Sequence, residues 1–239
     1  MAICRLLRMR GVPILRQLHL EEALLRADSA NYCIINEGTP DPAIVIGISG
    51  KPEALVHIGA AKAAGVQVIK RFTGGGTVVV DHNTTFSTLI CNASDVEGVE
   101  CYPRPVMQWS EGFYRPIFGP HGDFSLREHD YTFGERKFGG NAQAITKQRW
   151  LHHTSLLWDF DPENMALLKH PERVPEYRAG REHLDFVCRL KDFMARPAVT
   201  EGVVDALKHA GFQIEHVSLA EAEEVLQRPH LRNTKEIKL

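Results

Sequence analysis

Apolar residues recur along this chain in two rhythms, and the switches between them mark out its elements. Across residues 18–27, Leu20, Leu24 and Ala27 share one face of a helical repeat, with Glu21 and Glu22 between them, so a helix is expected. The short apolar run at 12–17 reads as a strand leading into it. Residues 32–36 and 43–48 read as strands on either side of a turn built from Gly38, Thr39, Pro40, Asp41 and Pro42. Pro52 suits the first turn of a helix, and residues 53–64 continue it until Gly65. Two more strands follow at 66–70 and 77–80, with the consecutive glycines Gly74, Gly75 and Gly76 between them.

Downstream, residues 86–91 form a strand after the turn-forming Asp81 and Asn83. Pro103 opens a helix in which Val106, Met107, Trp109, Phe113 and Ile117 recur at helical spacing, a stripe that points to the core. Residues 119–127 read as a loop, and 130–133 pairs with the run from 136 in a hairpin around Gly134 and Glu135. Lys147 and Gln148 tip a second hairpin, whose return strand is 150–158. Beyond residue 161 the pattern fades: 162–168 reads as helix, 171–181 is polar and irregular, and 184–190 is too short to assign. Thr200 is placed to cap a helix over 201–210 that stops at Gly211; 213–217 is extended, and an amphipathic helix over 219–227 ends before Pro229. The order of strand, helix, strand, loop and strand gives an α+β fold, with mixed, largely antiparallel sheets flanked by helices.

Composition narrows the classes. With 239 residues and 26.8 kDa the chain has room for one large domain, drawn at 1–195, and a short helical appendage at 196–239. A net charge of −2 with 24% charged residues shows no global pull toward nucleic acid or membrane, so any anion site is local. No apolar run approaches a membrane span, and Cys4, Cys33, Cys91, Cys101 and Cys188 contain no Cys-x-x-Cys pair, which fits reduced thiols inside a cell. Arg5, Arg8 and Arg10 make the opening basic, like the start of a transit peptide, but the stretch is short; a cytoplasmic location is expected, with a mitochondrial one as the alternative.

The glycine run follows Lys70 and Arg71 and lies between strands, so its backbone can come close to an anion. It is no Walker loop, because a strand rather than a helix follows it. A second basic and glycine-rich stretch, Arg136, Lys137, Phe138, Gly139, Gly140, Asn141, Ala142 and Gln143, precedes Leu151, His152, His153, Thr154, Ser155, Leu156 and Leu157. Adjacent strand residues point to opposite faces, so His152 and His153 are poorly placed to ligate one ion.

Three ordered motifs, Arg-x-x-Gly-Gly-Gly-x-Val-x-x-Asp, Lys-x-x-Gly-x-Ala-Gln and Leu-x-His-x-Ser-Leu-Leu, resemble the lipoate-protein ligase family of the biotin/lipoate ligase superfamily, over roughly residues 12–194. The resemblance implies a class II synthetase-like catalytic domain that activates lipoate with ATP to lipoyl-AMP. It implies transfer of the lipoyl group to a lysine of a lipoyl carrier domain, in a 2-oxo acid dehydrogenase complex or the glycine-cleavage carrier protein, with octanoate as another substrate. Lys137 then bridges carboxylate and α-phosphate as the catalytic residue. Arg71, Gly74, Gly75, Gly76 and Thr77 would hold the anion, with Asp81 and Asn83 as polar positions beside them. Gly139, Gly140, Asn141, Ala142 and His153 would complete the pocket, and Asp81 and Asp130 would hold Mg2+. One departure stands out: the family's Arg-x-Gln-Asn after the Val-Ile-Gly strand is replaced by Ile48, Ser49, Gly50, Lys51 and Pro52, so an arginine is missing.

Two rival functions follow. Related octanoyltransferases carry the acyl group on a cysteine before the Lys-x-x-Gly motif; residues 119–136 hold none, and Cys188 comes later. A non-catalytic module that binds lipoate or its carrier is the other. Biotin ligase is disfavoured because Gly-Arg-Gly-Arg is absent. ATP-dependent formation of lipoyl-AMP separates these readings.

Overall fold

A computed structural model of the chain describes residues 1–170 and 175–239. Its strands, in chain order, are β1 (Ala2–Arg10), β2 (Asn31–Glu37), β3 (Ala43–Ile46), β4 (Gln67–Lys70), β5 (Gly74–Gly75), β6 (Val78–Val80), β7 (Thr84–Asn92), β8 (Phe124–Arg127), β9 (Asp130–Phe133), β10 (Arg136–Ile145), β11 (Arg149–Leu157), β12 (Phe212–His216) and β13 (Lys235–Ile237). A 9-stranded sheet runs β12-β1-β2-β7-β11-β10-β9-β8, with β5 paired to β10, and a 4-stranded sheet runs β13-β4-β3-β6. Pairing is parallel for β1 with β12 and β2 and for β3 with β4, and antiparallel elsewhere. The mixed, antiparallel-rich α+β architecture is therefore as the sequence pattern implies.

Both faces of the large sheet are covered, which is why its central strands are apolar on both sides. The helices Pro103–Phe118 and Arg196–His209 cover one face, where Tyr114, Phe118 and Leu207 pack with Cys33, Leu89 and Trp150. The helix Ile14–Ala27 covers the other through Leu20 and Leu24, against Ile34, Ile90 and Leu151. Its first turns reach the small sheet, where Ile14 and Leu18 meet Val45, Ile69 and Val80, with Phe86 of β7 in the same cluster. No helix among the described residues is long and apolar enough to cross a membrane.

Several expectations change. The basic opening is strand β1, with Cys4 and Leu6 buried on one face and Leu7 and Met9 on the other. Two of its arginines find partners, Arg5 donating to Tyr32 Oη at 3.2 Å and Arg8 reaching Glu201 through two hydrogen bonds of 2.6 and 2.9 Å. The run 12–17 is no strand: Gly11 turns the chain at φ +63° and Pro13 precedes a helix that starts at Ile14. The helix expected over 53–64 is broken into Pro52–Leu55 and Ile58–Ala63, because the buried Val56 bridges to Leu168. Phe124–Arg127, expected as loop, is β8.

Thr200 lies inside the helix Arg196–His209 rather than capping it, its hydroxyl donating to Pro197 O. Helix persists only at Pro162–Met165 within 162–168, and 184–190 opens on the short helix His183–Phe186. Of the irregular stretch 171–181, residues 171–174 lie outside the described residues. The segment 196–239, expected as a helical appendage, supplies β12 to the large sheet and β13 to the small one.

Candidate active site

The glycine run is held directly against the second motif. Gly75 of β5 pairs with Ala142 and Gly74 with Gln143, so the two sequence motifs are neighbours in one sheet. Gly75 has φ +122°, and a Cβ there would lie 2.7 Å from Arg71 Nη2 and 2.8 Å from Asn141 O. Only glycine fits. Arg71 is buried and turns its Nη donors to backbone carbonyls: Nη2 donates to Gly76 O at 2.7 Å and Gly74 O at 3.4 Å, and Nη1 to Val45 O of β3 at 3.3 Å, while Nε has no partner among the described residues. The arginine expected as an anion fork is thus a brace for the glycine floor that also lines the cleft. Burial lowers its pKa to about 10, which leaves it a cation at neutral pH.

Lys137 lies on β10, where the register against β9 shifts between Lys137 and Gly139. Such an irregularity re-aims a side chain, and here Lys137 Nζ stands 2.7 Å from Asp130 Oδ1. The other carboxylate oxygen, Oδ2, accepts from Tyr177 Oη at 2.8 Å. Burial, reinforced by Asp130, raises the Tyr177 pKa far enough that the phenol stays a donor at any working pH. Gly140 makes room for the lysine, since a Cβ there would lie 3.3 Å from Nζ.

Arg71, the glycine run, Lys137, Asp130 and Gly140 share one cleft of about 800 Å³ at the seam between the two sheets. One end is apolar, walled by Ile14, Leu18, Val45, Val78, Val80 and Phe86. The other carries Lys137, Asp130, Arg178 and His183, with Lys169 and His170 beside them. Thr77, Gly74, Gly76, Asn141, Ala142 and His153 also line it. An apolar well with a few converging polar groups is the form of a small-molecule site.

Other expected residues lie elsewhere. Gly139 does not line the cleft; a Cβ there would press within 3.1 Å of Tyr131 and 3.2 Å of Leu156, so its smallness serves sheet packing. Asp81 and Asn83 are outside the cleft too, because Asp81 Oδ1 accepts the Asn83 N–H at 2.8 Å and closes a turn. With Asp81 so engaged and Asp130 held by Lys137 and Tyr177, the two carboxylates do not converge on a magnesium site. Among the described residues no group of three His, Cys, Asp or Glu could hold a metal. Lys51 does not line the cleft, although Ser49 and Gly50 do. Cys188 is buried in the core, its pKa pushed up to about 11 by burial, and is outside the cleft.

Arg178 and His183 were missed because they lie where apolar periodicity fades. Arg178 is buried, donates from Nε to Arg181 O at 2.9 Å, and stacks 5.2 Å from the Phe186 ring centroid. His183 is pushed down to about 4 by burial and then by Arg178 and Lys137, so it is neutral near pH 7. The run of Arg178, Arg181 and His183 in a polar loop was the available signal.

Residues 13–212 match the model of the lipoyl protein ligase A/B catalytic domain. This chain belongs to the lipoate-protein ligase family. As a lipoate-protein ligase homologue it is 26% identical over 202 residues to inactive lipoate–protein ligase 2 of Plasmodium falciparum, covering 70% of this chain and 51% of that protein. It is 25% identical over 203 residues to lipoate-protein ligase A subunit 1 of Thermoplasma acidophilum, covering 79% and 76%. The chain thus spans about half the length of the first of these relatives. Among solved structures, the fold matches a bipartite lipoate protein ligase from T. acidophilum, studied with its E2 lipoyl domain, at TM-score 0.77 and 20% identity over 95% of this chain and 91% of that one. It matches lipoate-protein ligase A with ATP bound at TM-score 0.73 and 20% identity over 94% and 92%.

Proposed function

We infer that this family member binds lipoate or a related medium-chain acid in the apolar well, activates it with ATP as the acyl-adenylate, and passes the acyl group to a lysine of a lipoyl carrier domain. The observation that supports this most is the joining, in one cleft, of an apolar well, a braced glycine floor and the Lys137 ammonium. A carboxylate whose tail fills the well meets Lys137 at its polar end. The lysine is a compact charge suited to bridging that carboxylate and an α-phosphate. Arg178 adds a fixed cation to the same cleft, in a chain whose sequence lacks the family's arginine after Gly47.

Adenylation needs in-line positioning and stabilisation of charge at phosphorus, and the fixed elements offer both. The Gly74–Gly75 strand is paired to β10, and Arg71 holds the carbonyls of Gly74 and Gly76. The test is adenylate formation from lipoate and ATP by purified chain, with transfer from supplied lipoyl-AMP to a lipoyl domain measured separately in single turnovers. Loss of both steps in Lys137→Ala supports the reading. Formation of no adenylate by the unaltered chain, with tight lipoate binding retained, would replace it with a binding module.

A further inference from the structure

We propose that Ser155, His153 and Glu21 form a nucleophilic triad in the cleft wall, through which the chain takes a medium-chain acyl group from an acyl thioester onto Ser155 Oγ without ATP. His153 and Ser155 are two apart on β11 and therefore share a face; they lie opposite Ala142 and Gly140 of β10, and both line the cleft. Glu21 comes from the helix Ile14–Ala27 and is fully buried. Its carboxylate accepts from Gln17 Nε2 at 2.7 Å and Thr88 Oγ1 at 2.8 Å, and its two oxygens stand 3.0 and 3.1 Å from His153 Nδ1.

A carboxylate facing Nδ1 fixes the imidazole proton there. Nε2 is left with its lone pair 3.3 Å from Ser155 Oγ, so the hydroxyl donates to it. Nucleophile, base and orienting carboxylate thus stand in sequence, the pattern of acyl-transfer triads on unrelated folds. Ser155 Oγ has no other side-chain partner among the described residues, and the cleft is on its open side.

The neighbourhood suits an acyl carbonyl. Lys137 Nζ stands 3.3 Å from where a Gly140 Cβ would be, and Gly140 is directly across from Ser155. Side chains so paired are about 5 Å apart at Cβ, so the ammonium and Ser155 flank one stretch of the cleft, and a carbonyl oxygen bound between them would meet the ammonium's charge. The tail lies toward Phe86, whose ring centroid is 5.7 Å from that of His153.

In the reaction, Ser155 Oγ bonds to the thioester carbonyl carbon and the C–S bond breaks. The hydroxyl proton passes to His153 Nε2 and on to the departing thiolate, which leaves as a thiol. An acceptor lysine amine, or water, then displaces Ser155; His153 takes its proton and returns it to Oγ. No redox change occurs. Glu21 acts as a positioning residue.

The experiment mixes full-length chain with octanoyl-coenzyme A in the absence of ATP, quenches in acid and maps the acylated peptide. Acylation at Ser155 is expected, slowed at least a hundredfold in His153→Gln and absent from that peptide in Ser155→Ala. Ser155→Cys is expected to form a thioester that neutral hydroxylamine cleaves, which tests the site where the alanine variant fails to fold. Glu21→Gln is expected to move the pH at which acylation rises. Acylation of Ser155→Ala at the unaltered rate, acyl groups only on Lys137 or Cys188, or none on the unaltered chain would each overturn the proposal. Adenylate formation with ATP is assayed on the same preparations, so failure of the ligase reading is seen separately.

Discussion

The two faces of the β10–β11 ribbon use neighbouring residues for opposite ends. Toward the core, His152 lies between Tyr131 Oη at 3.0 Å and Gln143 Nε2 at 3.1 Å, and Thr154 donates to Asn141 Oδ1 at 2.8 Å. Burial pushes the His152 pKa down to about 3, so it is a neutral packing element with satisfied nitrogens. Toward the cleft, one residue on, His153 meets a carboxylate on one side and a hydroxyl on the other. The difference is the two-residue period of a strand, which sends adjacent histidines into separate environments. Environment, rather than residue type, assigns the role.

That contrast is broken most sharply by Lys137→Ala. Adenylation is expected to fall a hundredfold or more, equivalent to about 3 to 4 kcal/mol in the barrier. Stability is expected to fall by only about 1 kcal/mol, since a half-buried pair with Asp130 is lost while Tyr177 still donates to that carboxylate. Urea denaturation and single-turnover adenylation measure the two, with Lys147→Ala, on the exposed turn between β10 and β11, as the unaffected control. Equal stability losses and unchanged adenylation would mean that Lys137 only packs.

On the core face the reverse is expected. His152→Leu takes away the imidazole partner of Gln143 Nε2 and leaves Tyr131 Oη with Ser110 alone, and destabilises by about 2 to 4 kcal/mol, while the KM for lipoate is unchanged in the folded fraction. Gly75→Ala acts on both faces, because its Cβ would collide with Arg71 and the Asn141 carbonyl at a positive φ. A loss of about 1 to 3 kcal/mol is expected, with weaker lipoate binding by calorimetry. Gly65→Ala, also at positive φ but with no atom within 4 Å, separates backbone strain from collision.

The most gradual effect, small over any one pH unit, is a pH dependence. Unfolded His152 takes a proton near pH 6.5 and folded His152 only near 3. The unfolded state therefore binds more protons in between, and stability falls as pH drops through that window, by up to about 1.4 kcal/mol per pH unit from this residue. His183, lowered to about 4, adds a slope of the same sign. Denaturation midpoints from pH 6.5 down to about 4.5, above the carboxylate range, are expected to flatten partly in His152→Gln. An unchanged slope would place the titration elsewhere.

Much of this was legible in the residues. Gly74, Gly75, Gly76 and Lys137 announced themselves as motifs, and the fold puts them in one cleft. Arg71 and Gly139 were legible in position but not in use, because whether a guanidinium faces a ligand or its own loop depends on packing from Gly47 and Val45, far away in sequence. Asp81 and Asn83 proved to be what their residue types most often make, a turn. Strand β1 was hidden because Arg5, Arg8 and Arg10 broke its apolar pattern, although both faces of that strand are buried. Glu21 read as one acid of an amphipathic helix; only tertiary placement shows that it faces His153.

Strand β1 also sets a timetable. Ala2 pairs with Phe212, so one edge of the large sheet is open from the time β1 is made until the chain has grown by more than two hundred residues. At ribosomal rates of about 5 to 20 residues per second, that is a wait of roughly ten to forty seconds. Throughout it the outer edge of β1, whose other edge pairs with β2, is a template for wrong pairing. The helix Arg196–His209 arrives just before β12 and brings Glu201 to Arg8, so it shields the neighbourhood of that edge before the final strand closes it. Yield in the cell is therefore expected to depend on what occupies the edge of β1 during synthesis, a vulnerability that equilibrium measurements on the finished protein do not register.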